Sequence, residues 1–492
     1  MGHQGLAVLR QTISAPRFVL LMSFAGTSVI NYAFSLATGR LLLPGDFGLL
    51  SFVQSILLIT ALLLGSGITV SLTAAILGQT GSRRAALIRG AYAANCLIAL
   101  AISAAFIMLF ALGPLRRGFE TSDMTIVVAL TLPFSSFIAT SRAAAQGAER
   151  FDVVAAIQVV EIVCKAAAGT LLVLLGFGVT GAAAGFLIGA ILGSILGFFH
   201  MVHTLGVRPW GALSLPPLPA AGAMFAALLG LALLLNMDLA SVKLLPGGDR
   251  SMAGYYQAAT ILANTPYYLV TSVLFTVLFT QFARLDELTA TREELAKALR
   301  LVAALVLPIE VVLMCIPRTA LVLLFPQRLA PGASVLRLLA FGNSALMLLV
   351  LVATAFLATG RARIPACILL CNAAIEPIAL WVAVPRWHAQ GAAAIFVAAS
   401  ALTLLTLTAL YLRAIGRQWA WRSAWWILRY LAAVAAGVLV GGILFSINEI
   451  LAVAIGSVCY LAVLFPLRLI KGPKSFTSVW HWSEWATSSE RK

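Results

Sequence analysis

Charge is what this sequence has least of. Only 10% of its 492 residues are Asp, Glu, Lys or Arg, against about 25% in an ordinary soluble domain. With 61% hydrophobic residues and a mean hydropathy of +1.01, the chain carries more apolar surface than a water-soluble fold can bury. That excludes a soluble enzyme or binding module and makes the chain an integral membrane protein. Hydrophilic connections are equally scarce. The longest, "ARLDELTATREELAKALR", reads as an amphipathic cytoplasmic helix by its leucine spacing. No loop can hold a soluble domain, so any chemistry belongs within or between membrane helices. The six cysteines (Cys96, Cys164, Cys315, Cys367, Cys371 and Cys459) all fall in apolar runs, and neither they nor the five histidines show metal-ligand spacing. They read as packing residues, and no structural metal is expected. No nucleophile–base pair or metal triad stands out, so catalysis is not expected. No cleavable signal is expected either: the first apolar run, Phe18 to Thr38, is long enough to span and has no small-x-small cleavage site.

What is present is a succession of apolar runs, each about the 20 residues that a bilayer core of about 30 Å requires. Fourteen are readable, at roughly 18–39, 47–76, 86–112, 123–144, 152–176, 179–203, 220–244, 253–281, 299–316, 334–359, 363–385, 391–413, 424–446 and 448–469. Only the stretch around Pro317 to Pro331 resists this reading. With the N-terminus in the cytoplasm, about 23 of the 33 Lys and Arg fall on the cytoplasmic side, about nine outside, and Lys165 within a span. Shifting the frame by one helix would invert this asymmetry. Both termini are therefore expected in the cytoplasm, and the net charge of +16 speaks of topology, not of nucleic acid. Trp419, Trp421, Trp425 and Trp426 cluster at a helix entrance as an interfacial belt would, and "SVWHWSEW" reads either as a tail on the membrane surface or as a disordered tail with stray aromatics.

The sequence also repeats itself. "TGAAAGFLIGAILGSILGFFHMVHTLG" from Thr180 aligns without a gap on "QGAAAIFVAASALTLLTLTALYLRAIG" from Gln390. "NYAFSLATGRLLLPGDFGLLSFVQSIL" from Asn31 parallels "NMDLASVKLLPGGDRSMAGYYQAATIL" from Asn236 with one small gap. The expected fold is an all-α membrane protein of about fourteen transmembrane helices. It divides into an N-lobe at 1–210, a C-lobe at 211–419, two additional helices at 420–470 and a cytoplasmic interfacial tail at 471–492. Parallel repeats of this kind form a transporter architecture with a substrate site near midplane. Gly181, Gly185, Gly189, Gly193 and Gly197 make a small-residue stripe suited to close helix packing.

Four stretches carry a family likeness. "ATGRLLLPGDFGLLSFVQSI", "AAAQGAERFDVVAA", "NMDLASVKLLPGGDRSMAGYYQAATILA" and "GAAAIFVAAS" resemble, in order, successive motifs of the polysaccharide transport proteins, the lipid-linked oligosaccharide flippases. The resemblance covers about residues 15–415. These proteins share a superfamily with multidrug and toxin extrusion antiporters and with lipid II flippases. The resemblance implies a V-shaped pair of lobes around a solvated cavity. It implies alternating access that carries undecaprenyl-pyrophosphate-linked oligosaccharide from the cytoplasmic to the periplasmic leaflet of a bacterial inner membrane, for exopolysaccharide, capsule or O-antigen. Membrane lipid would surround it, with a polysaccharide polymerase and a chain-length regulator as candidate protein partners. Lipid II flippases carry basic residues deep in the first helix. Phe18 to Gly39 has none, which argues against lipid II as cargo.

Ionisable groups within spans mark pathways or coupling sites, or else structural pairs. Asp238 and Lys243 are five residues apart, about 140° around a helix, so they cannot share a face. Lys243 can snorkel to the interface, or take part in substrate binding. Glu161 and Lys165, four apart with Glu first, suit an intrahelical pair. That pair can be merely structural, or Glu161 can hold Lys165 in a cavity as a ligand for the headgroup. Glu310 follows Pro308 and Glu376 precedes Pro377, so both lie near carbonyls freed by proline and can carry Na⁺ or H⁺. Asn372 stands one turn before Glu376. The set Asp238, Asn372 and Glu376 resembles the sodium site of some lipid II flippases, but Ile395 and Phe396 stand where those proteins place a hydroxyl. Arg40 and Arg318, at outer helix ends, either line a cavity mouth or meet lipid headgroups. Beyond Na⁺ or H⁺ no cofactor is expected. Two other functions stay open: a cation-coupled multidrug antiporter, and a membrane-embedded polysaccharide polymerase or ligase. The latter would be expected to carry a sizeable outer loop.

Overall fold

The computed structural model describes residues 16–113, 116–119, 121–208, 210–217, 222–245, 251–282, 288 and 291–415, with single positions 432, 455 and 458 beyond them. Apart from those single positions, the spans expected at 424–446 and 448–469 and the tail at 471–492 lie outside the described residues. Every regular element among the described residues is helical, as a bilayer demands of a chain whose backbone must satisfy its own hydrogen bonds. The first twelve expected spans fall on helices where they are described, with 47–76 and 299–316 each divided between two consecutive helices.

The first group runs α1 (Pro16–Leu41), α2 (Pro44–Ser66), α3 (Ile68–Ile76), α4 (Gly81–Ala111), the short α5 (Arg116–Phe119), α6 (Ser122–Gly147), α7 (Phe151–Leu172) and α8 (Gly178–His203). The second runs α9 (Gly222–Leu244), α10 (Met252–Phe282), α11 (Arg292–Leu305), α12 (Leu307–Cys315), α13 (Pro317–Leu324), α14 (Ala333–Ala358) and α15 (Arg363–Ile415). Among the described residues, seven helical stretches are long and apolar enough to cross a membrane, or eight if the bent pair α12–α13 counts as one span. Two of them hold two expected spans each. Residues 151–203 break at a π-helical turn where Gly176 takes φ 91°, and residues 363–415 break at His388. The awkward proline-rich stretch resolves as a 95° bend between α12 and α13, followed by a 3-10 turn at Gln327–Gly332.

Local chemistry fits the solvent. Hydroxyls inside spans donate to carbonyls one turn back on their own helix: Thr27 to Ser23, Ser51 to Phe47 and Thr403 to Ala399, each at 2.7 Å. No donor is left facing hydrocarbon at these positions. The glycine stripe brings α8 directly onto the backbone of α7. A Cβ at Gly185 would stand 2.6 Å from the Gly169 Cα, and one at Gly189 2.5 Å from the Glu161 carbonyl oxygen. In the second group α15 packs against both α9 and α14, and α10 packs against α14.

The two groups meet along a seam where α2 lies on α9 and α10. Gly48 and Gly254 make the close approach possible: a Cβ at Gly48 would stand 2.7 Å from the Ala253 Cβ, and one at Gly254 2.7 Å from the Pro44 carbonyl carbon. Phe47 and Phe325 pack across the same seam, with ring centroids 6.1 Å apart.

Candidate functional site

Among the described residues, ionisable side chains within the helices form one cluster in each group. In the first group the exposed residues Val159, Val163 and Leu171 mark the outward stripe of α7. Glu161 and Lys165 each lie two residues from Val163, about 160° away, and so face the interior of the group. The Lys165 ammonium donates to Asn31 Oδ1 of α1 and stands over two rings, 5.7 Å from the centre of Phe34 and 4.9 Å from that of Phe186. Cation–π contact of this kind holds an ammonium without neutralising it, contributing about 0.5–2 kcal/mol. The Glu161 carboxylate does not take Lys165 as its bonded partner: Arg142 of α6 donates to it instead. The helix-on-helix approach explains the difference. With α8 seated against α7, α6 brings Arg142 to the carboxylate while α1 brings an amide oxygen to the ammonium. A further bond, from Gln158 to Thr27 at 3.0 Å, ties α7 to α1 beside them. Two cations and one carboxylate leave one formal positive charge in this cluster.

In the second group Asp238 of α9 is 3% exposed, and its Oδ1 accepts the Leu239 amide at 2.7 Å. Its Oδ2 accepts the hydroxyl of Tyr256 from α10, a ring with no exposure at all. Glu376 of α15 is 1% exposed and lies close enough to Asp238 and Tyr256 to interact electrostatically with both. Among the described residues, neither Glu376 oxygen has a hydrogen-bond partner, and neither has the Asn372 amide nitrogen one turn away. Two buried carboxyls thus lie near each other, and the Tyr256 hydroxyl donates to Asp238 and not to Glu376. Such groups need a proton or a cation, since an unpaired buried charge is strongly unfavourable. Oxygen donors suit Na⁺, and the free Glu376 oxygens fit it. The place near helix start 391 offers no hydroxyl, because Phe396 is buried against Gly342. Glu310 of α12 is fully buried, with both oxygens unpartnered among the described residues; it is not joined to Asp238 or Glu376 by any hydrogen bond.

Arg40 and Arg328 lie at the α1–α2 end of the seam. Arg40 is exposed, and its Nε donates to the Leu324 carbonyl of the other group at 2.9 Å. In return Arg328 donates to the carbonyls of Arg40 at 2.6 Å and Leu42 at 2.8 Å. Each guanidinium thus caps the C-terminal end of a helix belonging to the opposite group, where carbonyls are unsatisfied and the helix dipole is negative. Arg318 is exposed on α13, and Lys243 is half-buried in the last turn of α9.

Residues 37–331, well over half of the chain, match the model of a family described as polysaccharide biosynthesis protein. The chain belongs to that family. Among solved structures it is similar to the lipid II flippase MurJ in an inward closed conformation, at 12% identity and TM-score 0.67, covering 92% of this chain and all of that one. It is also similar to an inward-facing multidrug resistance MATE transporter of the MOP superfamily, at 13% identity and TM-score 0.61, covering 79% and 94% of the two chains. At these identities the likeness is one of fold. No curated protein matches the chain.

Two residues of the family member's polar clusters escaped the reading of the sequence. Arg142 sits five residues before the end of α6 and passes for a loop cation, although it falls within the expected span 123–144. Tyr256 passes for an ordinary core aromatic. Its only sequence signal is its place in a helix turn opposite a membrane aspartate.

Proposed function

We propose that this protein is a flippase that moves undecaprenyl-pyrophosphate-linked oligosaccharide from the cytoplasmic to the periplasmic leaflet by alternating access, for exopolysaccharide, capsule or O-antigen assembly. The observation that carries the reading is the pair of inward-facing cations, Arg142 and Lys165, in a membrane-spanning polysaccharide biosynthesis protein. A diphosphate carries two or more negative charges and can leave water only where fixed cations receive it. Lys165 lacks a bonded carboxylate and is the first ligand for that group, with Arg142 beside it; Lys243 and Arg318 are secondary ligands. The glycan would occupy the space between the groups while the lipid tail stays in the bilayer. Proton or Na⁺ exchange at Asp238, Asn372 and Glu376, with Glu310 as a separate carrier, would bias one state against the other, since a ligand shifts an equilibrium only by its differential affinity. The positive-inside count favours a bacterial cytoplasmic membrane with both termini in the cytoplasm, which makes the Arg40 end the periplasmic one. A polymerase and a chain-length regulator would act downstream.

The likeness to a multidrug transporter, together with three buried carboxyls, favours a second reading as a cation-coupled multidrug antiporter. Deleting the gene separates the two. Lipid-linked repeat units are labelled in intact and in lysed spheroplasts with an impermeant lectin. Accumulation only in the protected leaflet supports the flippase. Accumulation in the accessible leaflet points to a polymerase or ligase, and no accumulation supports the antiporter.

A further inference from the structure

A single helical turn joins the seam, the 3-10 turn that carries Arg328 and the buried Asp238. Ala253 and Gly254, at the start of α10, lie against Gly48 and Pro44 of α2 and form the seam between the two groups. The Tyr255 carbonyl oxygen lies against Gly332, where a Cβ would stand 2.6 Å from it, at the end of the 3-10 turn that carries Arg328. Tyr256 donates its hydroxyl to Asp238. Four consecutive residues therefore contact the opposite group, the element holding the arginine latch, and the buried carboxyl pair. The turn is tied down at its beginning as well, by the Gly254 and Tyr255 amides on the Ser251 carbonyl at 3.0 and 3.1 Å.

We propose that Tyr256 is the positioning residue through which the Asp238–Glu376 pair controls the seam, so that occupancy of the pair by a proton or a monovalent cation opens or closes the Arg40 end. The inference rests on the ion-coupled transport proposed above and names its linkage. Asp238 Oδ2 accepts the tyrosine hydrogen here. A proton placed on that oxygen turns it into a donor, and the tyrosine must then accept or let go. A cation bound to the same oxygen draws on the same lone pair. Either event changes the Tyr256–Asp238 hydrogen bond that joins the turn to α9. Because the turn is densely packed, with Ala258 and Ala259 also without exposure, its displacement is passed on to its neighbours instead of being absorbed in a void. The neighbours are Gly48, Pro44 and Gly332. The titratable groups interacting with Asp238 are Tyr256 from α10 and Glu376 from α15. Of the other helices packed on α9, α2 carries Asp46 in its first turn and the short α5 carries Arg116.

The test reads the seam directly, on the full-length chain in lipid nanodiscs. Spin labels are placed at Leu43→Cys and Leu323→Cys, exposed positions on opposite sides of the seam, with the native cysteines replaced. The ratio of short to long distances is measured at low and high pH, with and without Na⁺. The background is expected to change this ratio several-fold with pH or Na⁺. Tyr256→Phe keeps the ring and removes the donor, and is expected to abolish the response. Asp238→Asn should abolish it equally, and the double variant should match either single one. Tyr268→Phe, on the same helix but exposed, should respond like the background. A response in Tyr256→Phe equal to the background overturns the proposal, and so does a background that responds to neither ion. No cargo is present, so an error about the lipid-linked substrate leaves this readout untouched and shows only in transport.

Discussion

Replacing Arg328 with alanine should loosen the Arg40 end of the seam by an amount the geometry fixes. Arg328 spans the two groups with two hydrogen bonds, at 2.6 and 2.8 Å, to the carbonyls of Arg40 and Leu42; Arg40 spans them with one, at 2.9 Å, to Leu324. A charged donor on a carbonyl contributes about 1.5–3 kcal/mol where it is well buried. Both arginines are exposed, and exposed charged contacts are worth about 0.2–1 kcal/mol, further screened by salt. Two bonds at the upper end of the exposed range give about 1–2 kcal/mol for Arg328→Ala, or a shift of about 5–30-fold in the ratio of closed to open. Arg40→Ala should shift it less, because it removes one bond. It also keeps the Arg40 carbonyl, so both Arg328 bonds survive. The assay is the label-to-label distance distribution between Leu43→Cys and Leu323→Cys in nanodiscs at low salt. Higher salt should shrink the difference between variant and parent. An Arg328→Ala ratio indistinguishable from the parent would refute the latch. A ratio left unchanged by Arg40→Ala, with weakened cargo affinity, would return Arg40 to a substrate role.

Two further variants test the packing and the charge. Gly254→Val should wedge the seam apart, since its Cβ meets the Pro44 carbonyl; the expected result is a folded protein biased toward the open Arg40 end, seen as faster thiol modification at the seam. Lys165→Ala should lower transport of lipid-linked cargo about tenfold or more, equivalent to about 1.4 kcal/mol or more of lost headgroup interaction. Lys165→Arg should retain part of it, and expression should hold for both, because the ammonium's partners are an uncharged amide and two rings.

The spans were legible because a bilayer leaves the chain one economical choice, and apolar length with charge punctuation announces it. The glycine stripe was legible for a related reason: only small side chains let α8 lie on the α7 backbone. Asp238 and Glu376 stand out because ionisable residues are so rare in spans, and Asn372 follows from helical spacing. What lay hidden depends on contacts across elements. Glu161 has a suitable lysine four residues on, yet its bonded partner is Arg142, nineteen residues away on another helix. Local spacing cannot rank those two. The arginine latch is invisible for a deeper reason, since its acceptors are backbone carbonyls and those carry no letter in a sequence. Tyr256 belongs to the same class. Its importance comes from lying between an aspartate on one helix and a seam on another.

The most direct test of the central claim uses purified protein in vesicles that hold an undecaprenyl-diphosphate-linked oligosaccharide in both leaflets. A membrane-impermeant glycosidase is added outside. Digestion running to near completion, and slowed by Lys165→Ala, is the predicted result. Digestion that stops at the outer-leaflet fraction, as in protein-free vesicles, would contradict flipping by this protein.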